Sequence, residues 1–165
     1  MPHASKPLRA SPASPEPSNG DGGCNRLLHL PAEPEALSTA RQYLSETALS
    51  CGLEGTDHYQ FLYAVNEALT NAIKHGIPDG LGMITLGVAQ DSLSLTATVY
   101  DPGHASTISK RATDNEGGRG LGLMLAMTDA LNIQSDESGT TVSLTKRLPG
   151  ELNGTSQQRA ESAVS

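Results

Sequence analysis

Apolar positions change their period along the chain, and each change marks an element. Residues 26–30, with Leu27, Leu28 and Leu30, read as a short possible strand. From 35 to 51, Leu37, Ala40, Leu44, Ala48 and Cys51 recur at helical spacing, and Pro34 suits a first helical turn, where no N–H is needed. Gly52 and Gly55 interrupt that pattern. A second helix follows, with Thr56 or Asp57 as its cap and Phe61, Val65, Ala68, Leu69, Ala72 and Ile73 as its apolar face. Gly76, Pro78 and Gly80 end it. Residues 83–88 and 93–100 then read as two strands joined at Gln90-Asp91. In the second, Leu93, Leu95, Ala97 and Val99 alternate with Ser94, Thr96 and Thr98, as in a half-buried antiparallel strand. Residues 101–118 make a polar loop long enough to suggest function. A third helix is expected over 121–131, with Met124 and Met127 as core filler, and 133–135 with 141–148 close a last hairpin. One antiparallel sheet covered by helices, an α+β two-layer sandwich, is the economical architecture.

The chain has 165 residues, enough for one domain of modest size. With one Phe, four Tyr and no Trp, its core must be built from Leu, Val, Ile and Ala. Five of the ten prolines fall in residues 1–23, among Ser, Ala and Gly, and this segment cannot bury enough apolar surface to offset its ordering entropy. It is expected to be a disordered tail, as is 149–165, which leaves a folded unit over 24–148. The formal net charge of -7 argues against a nucleic-acid binder and suits a basic protein partner. No apolar run approaches a membrane span and no secretory signal is present, so a cytoplasmic location is expected. Cys24 and Cys51 are too few and too far apart for a disulfide framework or a zinc site. His29, His58 and His104 show no metal-ligand spacing.

Three segments carry candidate chemistry. In the second helix, Glu67, Asn71 and His75 stand at i, i+4 and i+8, a slowly drifting column. The carboxylate can take a proton from a hydroxyl, and the amide oxygen is a hard neutral ligand for Mg²⁺. Spacing alone favours a plainer account, a solvated polar stripe. Next comes Tyr100-Asp101-Pro102-Gly103-His104-Ala105, directly after a strand. There Asp101 can accept a hydrogen bond from an exocyclic amine, although the same residues also make an ordinary turn. The third segment, Gly117-Gly118-Arg119-Gly120-Leu121-Gly122-Leu123, opens a helix whose backbone N–H groups and dipole suit phosphate. It is neither a P-loop, lacking the Gly-Lys pair, nor a dinucleotide fingerprint, since position 123 is Leu.

In this order the three segments resemble the N, G1 and G2 boxes of the GHKL ATP-binding superfamily, and more narrowly the anti-sigma-factor serine kinases of bacterial partner-switching pathways. The run from Glu67 through Gly76 follows that pattern over its whole length, and Gly139-Thr140-Thr141-Val142 is similar to the family's closing strand. The resemblance implies a two-layer sandwich of GHKL (Bergerat) type with a mixed, mostly antiparallel sheet covered by helices on one face. It implies Glu67 as the base that accepts a serine hydroxyl proton, Asn71 as the Mg²⁺ ligand, and His75 near the phosphate end. Asp101 and Gly103 would receive adenine, with Thr141 supporting that side. Gly118, Gly120 and Gly122, with Arg119 and Leu121 in the same turn, would wrap the phosphates, under a lid formed by residues 104–119. The resemblance also matches Arg41 to a partner-contacting arginine, although a solvated helix arginine is the plainer account. One departure stands out, since Ala105 occupies the second glycine place of the first glycine box.

The function so implied is an ATP- and Mg²⁺-dependent protein-serine kinase that phosphorylates a small STAS-type anti-sigma-factor antagonist and captures a sigma factor, with homodimer formation compatible. No direct nucleic-acid or membrane contact is expected. The alternative is a nucleotide-binding sequestering module without kinase activity. A sensor histidine kinase fragment is a poorer fit, because the first helix is short and carries no His. A purely structural domain would show no ATP-dependent rise in melting temperature.

Overall fold

The computed structural model describes residues 25–76, 82–103 and 117–150. The tails expected over 1–23 and 149–165 and the lid expected over 104–119 lie largely outside these residues. The described elements are β1 (Asn25–Pro31), α1 (Ala36–Ser50), α2 (Gly55–Asn71), a π turn over Ala72–Gly76, β2 (Met83–Gln90), β3 (Ser94–Asp101), α3 (Gly117–Met127), β4 (Ala130–Asp136) and β5 (Gly139–Arg147). The strands form one sheet in the order β1-β2-β3-β5-β4, and every described pairing is antiparallel. The expected α+β two-layer architecture is what the chain adopts.

Period-two alternation separates the two faces of the sheet. Ile84, Leu86 and Val88 on β2 and Leu95, Ala97 and Val99 on β3 are buried against the helices. The opposite face carries a lattice of hydroxyls. Thr96 and Thr145 are hydrogen-bonded at 2.9 Å, and His29 Nδ1 lies 3.0 Å from Thr85 Oγ1. On the helical side Ala40, Leu44 and Ala48 of α1 and Phe61, Val65 and Leu69 of α2 complete the core. With Ala at many contact points, the helices can lie close to the sheet, which is how a chain with 3% aromatics still closes a core.

Element ends differ from the sequence reading where side chains or backbone bonds override pattern. Helix α1 closes with Gly52 N–H donating to Leu49 O (3.0 Å) and Leu53 N–H to Ala48 O (3.0 Å), a Schellman pair. The cap of α2 is Glu54, not Thr56 or Asp57, which lie inside its first turn. Leu93 is 72% exposed instead of facing the core. The reason is Asp91, whose Oδ1 accepts the N–H groups of Leu93 (2.8 Å) and Ser94 (2.7 Å) and so holds Leu93 in the turn before β3. These bonds also hold the Asp91 carboxyl below its usual range.

Helix α3 begins four residues earlier than the apolar pattern suggests, because the glycine-rich run is itself helical. It also ends earlier. Asp129 N–H donates to Thr145 O (2.8 Å) and Asp129 Oδ2 accepts Arg147 N–H (2.7 Å), so pairing with β5 starts there and Leu131 belongs to β4.

Candidate functional site

Glu67 and Asn71, one turn apart on α2, are both half-buried on the side of that helix that meets α3. The meeting is close. A Cβ added at Gly120, in the first turns of α3, would lie 2.5 Å from Glu67 Oε1 and 3.2 Å from Cδ. Glycine at this position leaves the carboxylate where it stands. The carboxylate is thereby set beside the N-terminal end of α3, where backbone N–H groups lack intrahelical partners and the helix dipole is positive.

Asp101 ends β3 and is buried, with Oδ1 accepting Gly103 N–H at 3.0 Å. Burial raises its carboxyl above the ordinary value, and the Gly103 bond only partly opposes this. A desolvated carboxylate at a strand end is a strong acceptor for a ligand donor such as an amine. Gly139 makes the place possible. Its φ is +148°, and an added Cβ would run into the Asp101 carbonyl oxygen and come within 2.9 Å of Pro102 Cα.

Opposite Asp101 in the sheet stands Thr140, also buried, whose Oγ1 lies 3.0 Å from Ser135 Oγ on β4. Thr141, the residue expected to support the adenine side, lies one place further along β5. Thr141 pairs with Tyr100 and shares the hydroxyl-bearing open face, because neighbouring residues of a strand point to opposite sides. Thr140 shares the inward phase of Val142 and Leu144, and the register of β5 on β3 sets it opposite Asp101.

The remaining candidates are placed as follows. His75 is exposed within the π turn, which widens the helix past Asn71 and takes His75 out of a strict i+8 column. Arg119, Leu121 and Gly122 are exposed on the first turns of α3, and Gly118 is its second residue. Gly103 is buried beside Asp101. Arg41 lies elsewhere, on α1, where Nη1 donates to Asn66 Oδ1 at 3.5 Å on another side of α2 from Glu67. An apolar cleft between α1, α2 and the sheet, lined by Leu30, Ala36, Leu69 and Ile73 among others, is likewise across α2 from Glu67.

Among the described residues no group of three His, Cys, Asp or Glu side chains could cage a metal ion by itself. A single amide oxygen from Asn71 near a carboxylate fits Mg²⁺ nonetheless, since that ion keeps waters and takes most of its ligands from phosphate. These residues therefore offer an acceptor suited to an amine, a positive helix end suited to phosphate, and a carboxylate beside that end.

The chain belongs to the histidine kinase-like ATPase domain family, whose profile matches residues 30–146. Within that class it is a serine-protein kinase. RsbW serine-protein kinases from Bacillus velezensis and Bacillus subtilis are 34% and 32% identical to it, each over 75% of this chain and 86% of theirs. A crystal structure of the RsbU and RsbW domains of Rv1364c from Mycobacterium tuberculosis superposes with a TM-score of 0.57 at 28% identity, over 76% of this chain and 34% of that one. The SiaB–SiaC complex structure from Pseudomonas aeruginosa shares the fold at 11% identity, with a TM-score of 0.54 over 73% of this chain and 88% of that one. No described helix is long and apolar enough to cross a membrane.

Proposed function

We propose that the protein is an ATP- and Mg²⁺-dependent kinase that transfers phosphate to a serine of a small STAS-type anti-sigma-factor antagonist, and that it also sequesters a sigma factor in the cytoplasm. The observation that carries this reading is the contact of Glu67 with Gly120, which puts a proton acceptor beside the phosphate-facing end of α3. Asp101, buried and pushed toward protonation, accepts the adenine amine and fixes the base. The α3 N-terminus receives the phosphate tail through its free N–H groups. Asn71 would hold the magnesium ion, which neutralises charge on the phosphate oxygens when bound.

Glu67 accepts the proton of the serine hydroxyl as its oxygen bonds to the terminal phosphorus. The bond from that phosphorus to the bridging oxygen breaks, and ADP leaves. Positioning and charge neutralisation supply most of the acceleration in such transfers, so few side chains suffice. The acidic net charge of -7 supports a basic segment as the sequestered partner.

The test is phosphate transfer from labelled ATP to candidate antagonists, with wild type and Glu67→Gln side by side. Transfer by wild type and loss of it in Glu67→Gln, with nucleotide binding kept, is the expected result. Binding without transfer to any antagonist would instead identify a sequestering module, and undiminished transfer by Glu67→Gln would remove the base assignment.

A further inference from the structure

Lys146 is the one inward-facing charge on the strand that follows the site, and its role is not explained by nucleotide chemistry. It is buried on β5 with its Nζ 3.0 Å from Asp57 Oδ1 and 2.9 Å from Gln60 Oε1, both on α2. The same ammonium donates to Met127 O, the last residue of α3, at 3.4 Å. Three elements are thus tied at one buried cation. A charge is costly to bury unless its hydrogen bonds are met, so these three acceptors define its place narrowly.

The position along the helices gives the cluster its meaning. Helices α2 and α3 touch at Gly120 and Glu67 near one end and are linked through Lys146 near the other. Gln60 and Glu67 are two turns apart on α2, and Gly120 and Met127 two turns apart on α3. A tie at the Met127 end, over a helix of 11 residues, sets where the Gly120 end points. The positive ammonium also meets the negative end of the α3 dipole.

We infer that Lys146 is a positioning residue for phosphoryl transfer, orienting the phosphate-binding end of α3 against the Glu67-bearing face of α2 through Asp57, Gln60 and the Met127 carbonyl. The inference rests on the kinase reading above. Adenine is held from the sheet side by Asp101, which this cluster does not touch. Loosening α3 therefore weakens the hold on phosphates and spares the hold on the base.

Calorimetric titration of the full chain with magnesium ATP and, separately, with adenosine tests this. Lys146→Met is expected to weaken ATP binding by roughly tenfold, with adenosine affinity unchanged, and Lys146→Arg to restore most of the loss. Asp57→Asn changes a side chain that is 56% exposed, so it keeps the fold if Lys146→Met does not, and it is expected to weaken ATP by about threefold, again sparing adenosine. Equal losses for both ligands, or none for either in both variants, would overturn the positioning role. Wild type that binds neither ligand would instead bring down the kinase reading, and this inference with it.

Discussion

Glu67 of α2 rests its carboxylate where a side chain on Gly120 of α3 would have to be, at 2.5 Å from the added Cβ. This contact joins two requirements of the sequence that are 53 positions apart, a carboxylate in one helix and a bare backbone in the other. It explains why position 120, inside a helix, is a glycine. The turn must be regular to present its N–H groups, and it must be thin to lie on α2.

Gly120→Ala separates stability from catalysis. Replacing a helical glycine by alanine gains about 0.5–1 kcal/mol from the backbone. The atom in the way is the far end of a flexible side chain, so the carboxylate swings aside at a comparable cost. Unfolding midpoints are expected to stay within about 1 kcal/mol of wild type, whereas transfer falls about 100-fold, because the base is displaced by an ångström or more. Denaturant melts and single-turnover transfer measure the two quantities; parallel loss of both would show that the contact is only packing.

Asp101 gives a pH dependence of defined sign. Its folded-state value is raised above 3.8, led by burial, so the folded protein holds this proton more tightly than the unfolded chain. Below 3.8 both states are protonated and the contribution to stability is complete. It is lost as pH rises through the raised value, because the folded state then keeps a desolvated charge. Asn cannot ionise and still accepts Gly103 N–H. Asp101→Asn is therefore expected to melt higher than wild type at pH 7 and alike near pH 3, and to lose the ATP-dependent rise in melting temperature. A lower melting temperature at pH 7 would contradict the burial argument.

Most of the fold was legible because period-two and period-3.6 patterns lie over nearly every element. The column through Glu67 and Asn71 was likewise visible as spacing, as was the glycine run that includes Gly120. What escaped was set by tertiary register. Leu93 has the alternation of a core residue, but Asp91 turns the chain beneath it. Thr140 shares the phase of Val142 and Leu144, but that it faces Asp101 is set by the register of β5 on β3. Lys146 did carry a signal, since a lysine at the inward phase of Val142 and Leu144 requires buried partners, but Asp57 and Gln60 are more than eighty residues away.

Gly139 supports the site from below. Alanine there must adopt φ near +148° and overlap the Asp101 carbonyl, a backbone neighbour that cannot rotate away. Gly139→Ala is expected to cost about 2–3 kcal/mol in urea unfolding, from backbone strain plus overpacking. Adenosine binding should fall with it, since the strand end bearing Asp101 must move. A variant as stable as wild type would show that this turn relaxes freely.

Thr140 and Thr141 offer a test of which face of the sheet meets the base. Thr140 is buried opposite Asp101, and its hydroxyl is held by Ser135 at 3.0 Å, so it lies on the side where a purine would stack over the strands. Thr141 opposes Tyr100 on the face with no described helix. Valine keeps the shape of threonine and removes only the hydroxyl. A lost buried hydrogen bond costs about 0.5–1.5 kcal/mol, or up to roughly tenfold in affinity. Thr140→Val is thus expected to weaken adenosine binding by about that factor, while Thr141→Val stays within about twofold of wild type. The reverse order would place the base on the open face, and Asp101, which points the other way, would then have no part in holding it.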